Sequence, residues 1–188
     1  MGRWQPGAHE RLMQSAIELY SERGFEQTTA AEIAQRAGVT ERTFFRYFAD
    51  KREVLFNGSA ELQRRVVTAI AEAPAEMAPL DVMSRAMQGA ATLMQENRAW
   101  SRQRTAVIAL NPGLQERELL KLARLASAAA VALRERGVPE LAASLAAETG
   151  VTVFKIGFET WVGDDAHPDF ARCIRDSLDQ LRGMTSGV

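Results

Sequence analysis

Along almost the whole chain, apolar residues recur at the spacing of an α-helix, and nowhere do they alternate as in a strand. From Ala8 to Arg23, the residues Leu12, Ala16, Ile17 and Tyr20 fall on one face, and Gly24 suits a C-terminal stop that needs positive φ. Thr29 and Glu32 have the spacing of a capping box, which opens a short helix through Ile33 and Ala34 ending at Ala37-Gly38. Thr40 can cap a third helix to about Phe48. Asp50 and Glu53 repeat the cap-plus-Glu pattern and open a fourth, with Leu55, Leu62, Val66 and Ile70 on one side, fading at Glu72-Ala-Pro74. Helical patterns then run from about Pro79 to Asn97 and from Arg98 to Leu110. After the turn signal Asn111-Pro112-Gly113, a long Leu/Ala-rich helix runs to Arg136, stopped by Gly137. Pro139 suits the first turn of an eighth helix, to about Val162. A ninth follows the loop 163–168 and runs to about Arg182, with Gly183 as its stop. The expectation is an all-α chain of nine helices in two domains, 1–56 and 57–188, linked by a fourth helix that reaches about residue 73.

Composition narrows the function. The 188 residues are 46% hydrophobic and 25% charged, the mix of a globular protein, and the formal net charge is −1. Nucleic-acid binding must therefore come from a local patch. Cys173 is the single cysteine, so no intrachain disulfide is possible, and His9 and His167 are too isolated to complete a zinc site. No nucleophile–base set and no glycine-rich phosphate loop is present, and Glu32, Glu159 and His167 lie on separate segments. An enzyme, a metal site and a cofactor are accordingly not expected. No uninterrupted apolar run approaches the roughly 18 residues of a membrane span. The N-terminal stretch lacks the apolar core of a signal peptide, and Pro6 spoils the myristoylation pattern begun by Met1-Gly2. These features predict a cytoplasmic protein.

Two short helices joined by Ala37-Gly38-Val39 fit a helix-turn-helix. Gly38 permits the tight turn, and Ile33, Ala34, Val39 and Phe44 can build the small core that fixes the angle. The second helix then presents Glu41, Arg42, Thr43, Phe45 and Arg46 outward, where its first turn can enter a major groove. Residues 40–52 carry four cations (Arg42, Arg46, Lys51, Arg52) against two anions (Glu41, Asp50), a modest basic excess. Arg46 could instead pair with Asp50 at i+4, and Arg52 reads as a solvated charge.

The string Gly24-Phe25, Thr28-Thr29-Ala-Ala-Glu32-Ile33-Ala34, Ala37-Gly38-Val39-Thr40, Thr43-Phe44-Phe45-Arg46-Tyr47-Phe48, Lys51 and Leu55 resembles the DNA-binding domain of TetR/AcrR transcriptional regulators. The resemblance covers about a quarter of the chain by motif and the rest by helix count. It implies a nine-helix TetR-like fold with an N-terminal helix-turn-helix domain and a C-terminal ligand-binding, dimerising domain. It further implies that Thr28, Thr29, Thr40, Tyr47 and Lys51 meet phosphates. Glu41, Arg42, Thr43 and Phe45 would face bases, with Arg46 reaching either. Phe45 stands where many members carry Tyr, which favours contact with a thymine methyl group. Glu41 is acidic at the groove; it can accept from a cytosine amino group but repels phosphate.

In the second domain, Met83, Met87 and Met94 share one helix face, Trp100 follows, and Phe154, Phe158 and Trp161 recur at helical spacing. These residues suit either core packing or an adaptable pocket for an apolar or aromatic effector, with Gln103 and Arg104 as polar contacts. Gly150 and Gly157 let another backbone come close. With Trp161, Phe170, Ile174, Leu178 and Leu181 they suit a two-fold four-helix dimer interface, or packing within one subunit. The expected function is a homodimeric repressor released from a palindromic operator by a small effector. The rival is a DNA-binding structural or cell-division protein of the same fold without an effector.

Overall fold

The computed structural model describes residues 7–185, and among them all regular structure is helical. The myristoylation pattern at residues 1–6 lies outside the described residues. The elements are α1 (Ala8–Arg23), α2 (Ala30–Arg36), α3 (Glu41–Tyr47), α4 (Glu53–Phe56), α5 (Ser59–Ala71), α6 (Pro79–Gln95), α7 (Arg98–Ala109), α8 (Pro112–Glu135), α9 (Glu140–Gly163) and α10 (Phe170–Thr185). The expected fourth helix is interrupted at Asn57-Gly58, yet both residues keep right-handed helical backbone angles. Counted as one element, α4 and α5 give nine helices among the described residues. Pro139 is the N-cap of α9 rather than part of its first turn. Gly183 does not stop α10, which continues to Thr185.

The chain divides into two compact units that do not follow chain order. The first joins the residues up to 57 with 99–118; the second joins 58–98 with 119–188. The return of 99–118 to the first unit was not legible in the sequence. Its cause is burial: Val107, Ile108 and Leu114 are closed into the cluster built by Leu12, Ile17, Tyr20, Ile33, Phe44 and Leu55. Arg104 of α7 donates to the Leu55 carbonyl at 2.7 Å and pairs with Glu118 at 2.8 Å, and Arg117 pairs with Glu53. The guanidinium groups of both arginines lie over the ring of Phe56.

In the second unit α9 packs against α6 and α10, and α6 also packs against α5 and α10. Helix α9 is long and apolar enough to cross a membrane by length and composition, but here it is a core helix. Gly150 and Gly157 explain how it sits so deep. A β-carbon at Gly150 would lie 2.8 Å from the Met83 side chain, and one at Gly157 would lie 2.9 Å from the Ile174 backbone nitrogen. The glycines therefore admit α6 and α10 of the same chain, the subunit-internal alternative. Trp161 stacks on Phe170 with ring centres 4.9 Å apart, and Phe154 and Phe158 pack on the same ring. Arg98 caps the C-terminus of α9 through the Trp161 carbonyl, and Arg136 caps that of α5 through the Ile70 and Ala73 carbonyls.

Candidate nucleic-acid interface

The helix-turn-helix is built by local chemistry. Thr29 accepts from the Glu32 amide while the Glu32 carboxylate accepts from the Thr29 amide at 2.8 Å, a reciprocal box that fixes the start of α2. These hydrogen bonds hold the Glu32 carboxyl below the usual carboxylate range, backbone donation from Thr29 contributing most. At the other end, Gly38 takes φ +68°. Its amide donates to the Gln35 carbonyl and the next amide, of Val39, to that of Ala34. Two otherwise orphaned carbonyls are thereby satisfied, and only a residue tolerant of positive φ allows it. Thr40 then accepts from the Thr43 amide and caps α3. Phe44 is fully buried and pins α3 by its inner face.

That anchoring leaves the other face of α3 open. Glu41, Arg42, Phe45, Arg46 and Tyr47 are exposed and Thr43 is partly so, a coherent surface two turns long. Phe45 is 52% exposed, high for a phenylalanine in a packed domain. Arg42 has no hydrogen bond or ion pair among the described residues. Arg46 lies over the Tyr47 ring, 5.0 Å from its centre, and donates weakly to its hydroxyl. Asp50 is taken by Arg52 at 2.8 Å, so the Arg46–Asp50 alternative is not realised and Arg52 is not merely solvated. Asp50 also accepts from the Arg52 and Glu53 amides, capping α4, whereas Glu53 turns to Arg117 instead of reaching back.

Several other described cations of this unit are engaged. Arg36 makes a two-pronged pair with Glu22 at 2.7 Å, Arg23 meets Glu32, and Arg11 donates to the Ala37 carbonyl at the end of α2. Among the described residues, Arg42 and Arg46 of α3 remain exposed without a carboxylate partner.

Two expected phosphate contacts need correction. Thr28 is completely buried, and its hydroxyl donates to the Gly24 carbonyl at 2.9 Å, so it faces the core. The Lys51 ammonium donates to the carbonyls of Phe25, Glu26 and Thr28 and is not aimed outward. Tyr20, missed by the sequence reading as more than core, donates its hydroxyl to the Lys51 carbonyl at 2.6 Å. Burial, with Asp50 nearby, pushes its phenol well above the usual range. The folded state thus keeps a proton that the unfolded chain releases above about pH 10. Stability is full below that pH and falls as the pH rises beyond it. Alkaline unfolding followed by circular dichroism should show this loss, and Tyr20→Phe should flatten it.

The expected effector and dimer residues also find their places. Met83 and Met87 are fully buried, and Phe154 nearly so, in the core of the second unit, with Met94 and Phe158 packed at its edge. Trp100, Gln103 and Arg104 belong to the first unit, so the eight residues do not form one cluster within either unit. Gln103 is exposed and Arg104 is committed to Leu55 and Glu118. The Trp100 indole nitrogen is buried without a hydrogen-bond partner among the described residues. Trp161, Phe170, Ile174 and Leu178 are buried inside the unit, so their side chains cannot form a subunit contact as they stand; only Leu181 is partly exposed. The outward apolar residues are instead Leu141, Leu145 and Ile156 of α9 and Met184 of α10. Ile156, Leu181 and Met184 border an open groove of about 620 Å³ along these two helices.

Comparison with known proteins agrees with this architecture. Residues 12–57 match the family model described as bacterial regulatory proteins of the tetR family, and residues 77–185 match the MftR C-terminal domain. The HTH-type transcriptional regulator TcmR of Streptomyces glaucescens is 37% identical over 79 residues, which span 42% of this chain but only 35% of that relative. Among solved structures, a protein of Syntrophomonas wolfei assigned to the TetR family superposes with a TM-score of 0.66 at 18% identity, covering 96% of both chains. The SmeT–triclosan complex gives 0.65 at 18% identity, covering 92% of this chain and 88% of SmeT. Helix-turn-helix geometry, the second helical unit and both family matches lead to one assignment: the chain belongs to the TetR family of DNA-binding transcriptional regulators.

Proposed function

We propose that the protein is a homodimeric repressor that binds a palindromic operator and leaves it when a small, largely apolar or aromatic effector binds the second unit. The observation that carries the DNA half is the outer face of α3, where Arg42, Thr43, Phe45 and Arg46 face away from the fixed Phe44 anchor. A seven-residue helix reads few base pairs, and two-fold symmetry doubles the site. The phosphate contacts of this reading are Thr29, Thr40 and Tyr47. The dimer face is the outer side of α9 and α10, around Leu141, Leu145, Ile156, Leu181 and Met184. This set replaces the buried residues expected from the sequence.

The effector reading is supported by the makeup of the second unit's core. Met83, Met87, Met94, Phe154 and Phe158 supply polarisable, adaptable walls, and SmeT, a neighbour in fold, has been solved with triclosan. Binding there would repack these side chains. Ligand and operator would then oppose each other by preferring different conformations. A cytoplasmic location follows from a DNA target.

Selection of bound duplexes from a random pool tests the proposal. A palindrome of two equal half-sites is expected. Enrichment of nothing, with binding lost at modest salt, would reject it. The dimer face has its own check: Leu145→Glu with Ile156→Glu should shift the protein to a monomer in sedimentation and abolish binding to the palindrome.

A further inference from the structure

Lys51 is tied into the first unit at two points. Its ammonium donates to the carbonyls of Phe25 at 2.8 Å, Glu26 at 3.2 Å and Thr28 at 2.9 Å, and lies 4.4 Å from the centre of the Phe25 ring. Its own carbonyl accepts the Tyr20 hydroxyl at 2.6 Å. An ammonium has three N–H donors, and these three carbonyls use all of them. A phosphate could be paired only by giving one up, which would strip a carbonyl of a charge-assisted hydrogen bond. The loop so gathered is the one that leads into α2. Within it the buried Thr28 hydroxyl bonds back to Gly24, and Phe25 packs edge-on to Tyr20. The next residue, Thr29, is the N-cap of α2. One residue therefore joins three segments: its ammonium gathers the 24–28 loop to the segment that opens α4, and its backbone carbonyl receives the Tyr20 hydroxyl from the end of α1.

We infer that Lys51 is a positioning residue: it holds the loop that sets the helix-turn-helix in register with α1 and α4, and supports DNA binding without pairing with a phosphate. The functional half rests on the DNA-binding reading; the tie itself does not. A phosphate ligand and a tie respond differently to substitution. Arginine substitutes well for lysine at a phosphate, but its planar fork does not fit three carbonyls converging on one point. Removing a cation that pairs with a phosphate also lowers the slope of log K against log salt by about 0.9.

The test compares the parent with Lys51→Arg and Lys51→Met. Hydrogen exchange without DNA reports the loop, and titration of a mixed-sequence duplex over a salt series reports binding. Amides 25–32 of both variants are expected to exchange about tenfold faster or more, as local opening becomes easier. Both should bind the duplex more weakly, arginine giving no rescue, and the methionine variant should keep the parent's salt slope. A slope reduced by about 0.9 per protomer, parental binding by the arginine variant, or unchanged exchange in both would each overturn the inference. If the methionine variant does not fold, the arginine variant decides by the same exchange and rescue readouts. A parent that fails to bind the duplex at all would count against the DNA-binding reading, while exchange would still decide the tie.

Discussion

Gly157→Ala is expected to destabilise the protein by about 1–3 kcal/mol, even though alanine is the better helix former. The added β-carbon would stand 2.9 Å from the Ile174 nitrogen, 3.0 Å from its α-carbon and 3.1 Å from the Cys173 carbonyl carbon. All three atoms are backbone, so no rotamer change relieves the contact, and α10 must move as a body. That movement would disturb the Trp161–Phe170 stack and the packing of Phe154 on the same ring. Helix propensity alone would favour alanine by about 1 kcal/mol, which only partly offsets the overpacking. Gly150→Ala serves as the comparison. The three atoms nearest its β-carbon all belong to the Met83 side chain, whose terminal methyl can swing away although its β-carbon cannot. A smaller loss is expected there. Urea denaturation at fixed protein concentration checks the order, parent above Gly150→Ala above Gly157→Ala. A Gly157→Ala variant as stable as the parent would mean that α9 and α10 are not held at this distance.

The same two glycines show where sequence reading reached its limit. Their spacing announced a close approach of another backbone, and at Gly157 the backbone of α10 arrives, whereas at Gly150 the Met83 side chain fills the space. A spacing does not say whose helix arrives, and the sequence favoured a partner subunit where α6 and α10 of the same chain fill the space. The apolar face of α10 had the same ambiguity: Phe170, Ile174 and Leu178 mark a buried face, and burial within a chain and between chains use the same residue types. Local features were far more legible. The Thr29–Glu32 box, the Gly38 turn and the Phe44 anchor depend on residues a few positions apart, and their chemistry is specific to the geometry they build. What failed nearby was side-chain direction. Thr28 and Thr29 are adjacent hydroxyls, yet one caps α2 at the surface and the other points into the core. Lys51 likewise looked like a surface cation, because nothing in its neighbours along the chain places three carbonyls of residues 25–28 around it. The membership of 99–118 in the first unit was hidden for the same reason. It depends on which apolar faces meet across more than fifty residues of chain.

Arg42→Ala is expected to change what the protein recognises rather than whether it folds. Arg42 is exposed in the first turn of α3 and has no partner among the described residues, so its removal strands no buried group. Melting should be unchanged. If the guanidinium meets a base edge, its loss costs about 1–3 kcal/mol per half-site. Over two equal half-sites that becomes about 2–6 kcal/mol, the largest effect expected of any exposed residue here. The loss should fall on sequences carrying the preferred base and spare those that do not, so discrimination at one symmetric pair of positions collapses. Tyr47→Phe provides the contrast. It removes one hydroxyl at the end of the same helix, where Arg46 leans on the ring and a phosphate is the expected partner. Its cost of about 1 kcal/mol per protomer should apply to every duplex alike. Measuring both variants against the selected palindrome and a set of single-base changes separates the two roles. A uniform loss with Arg42→Ala would place that side chain on the backbone, and the orientation of α3 in the groove would have to be redrawn.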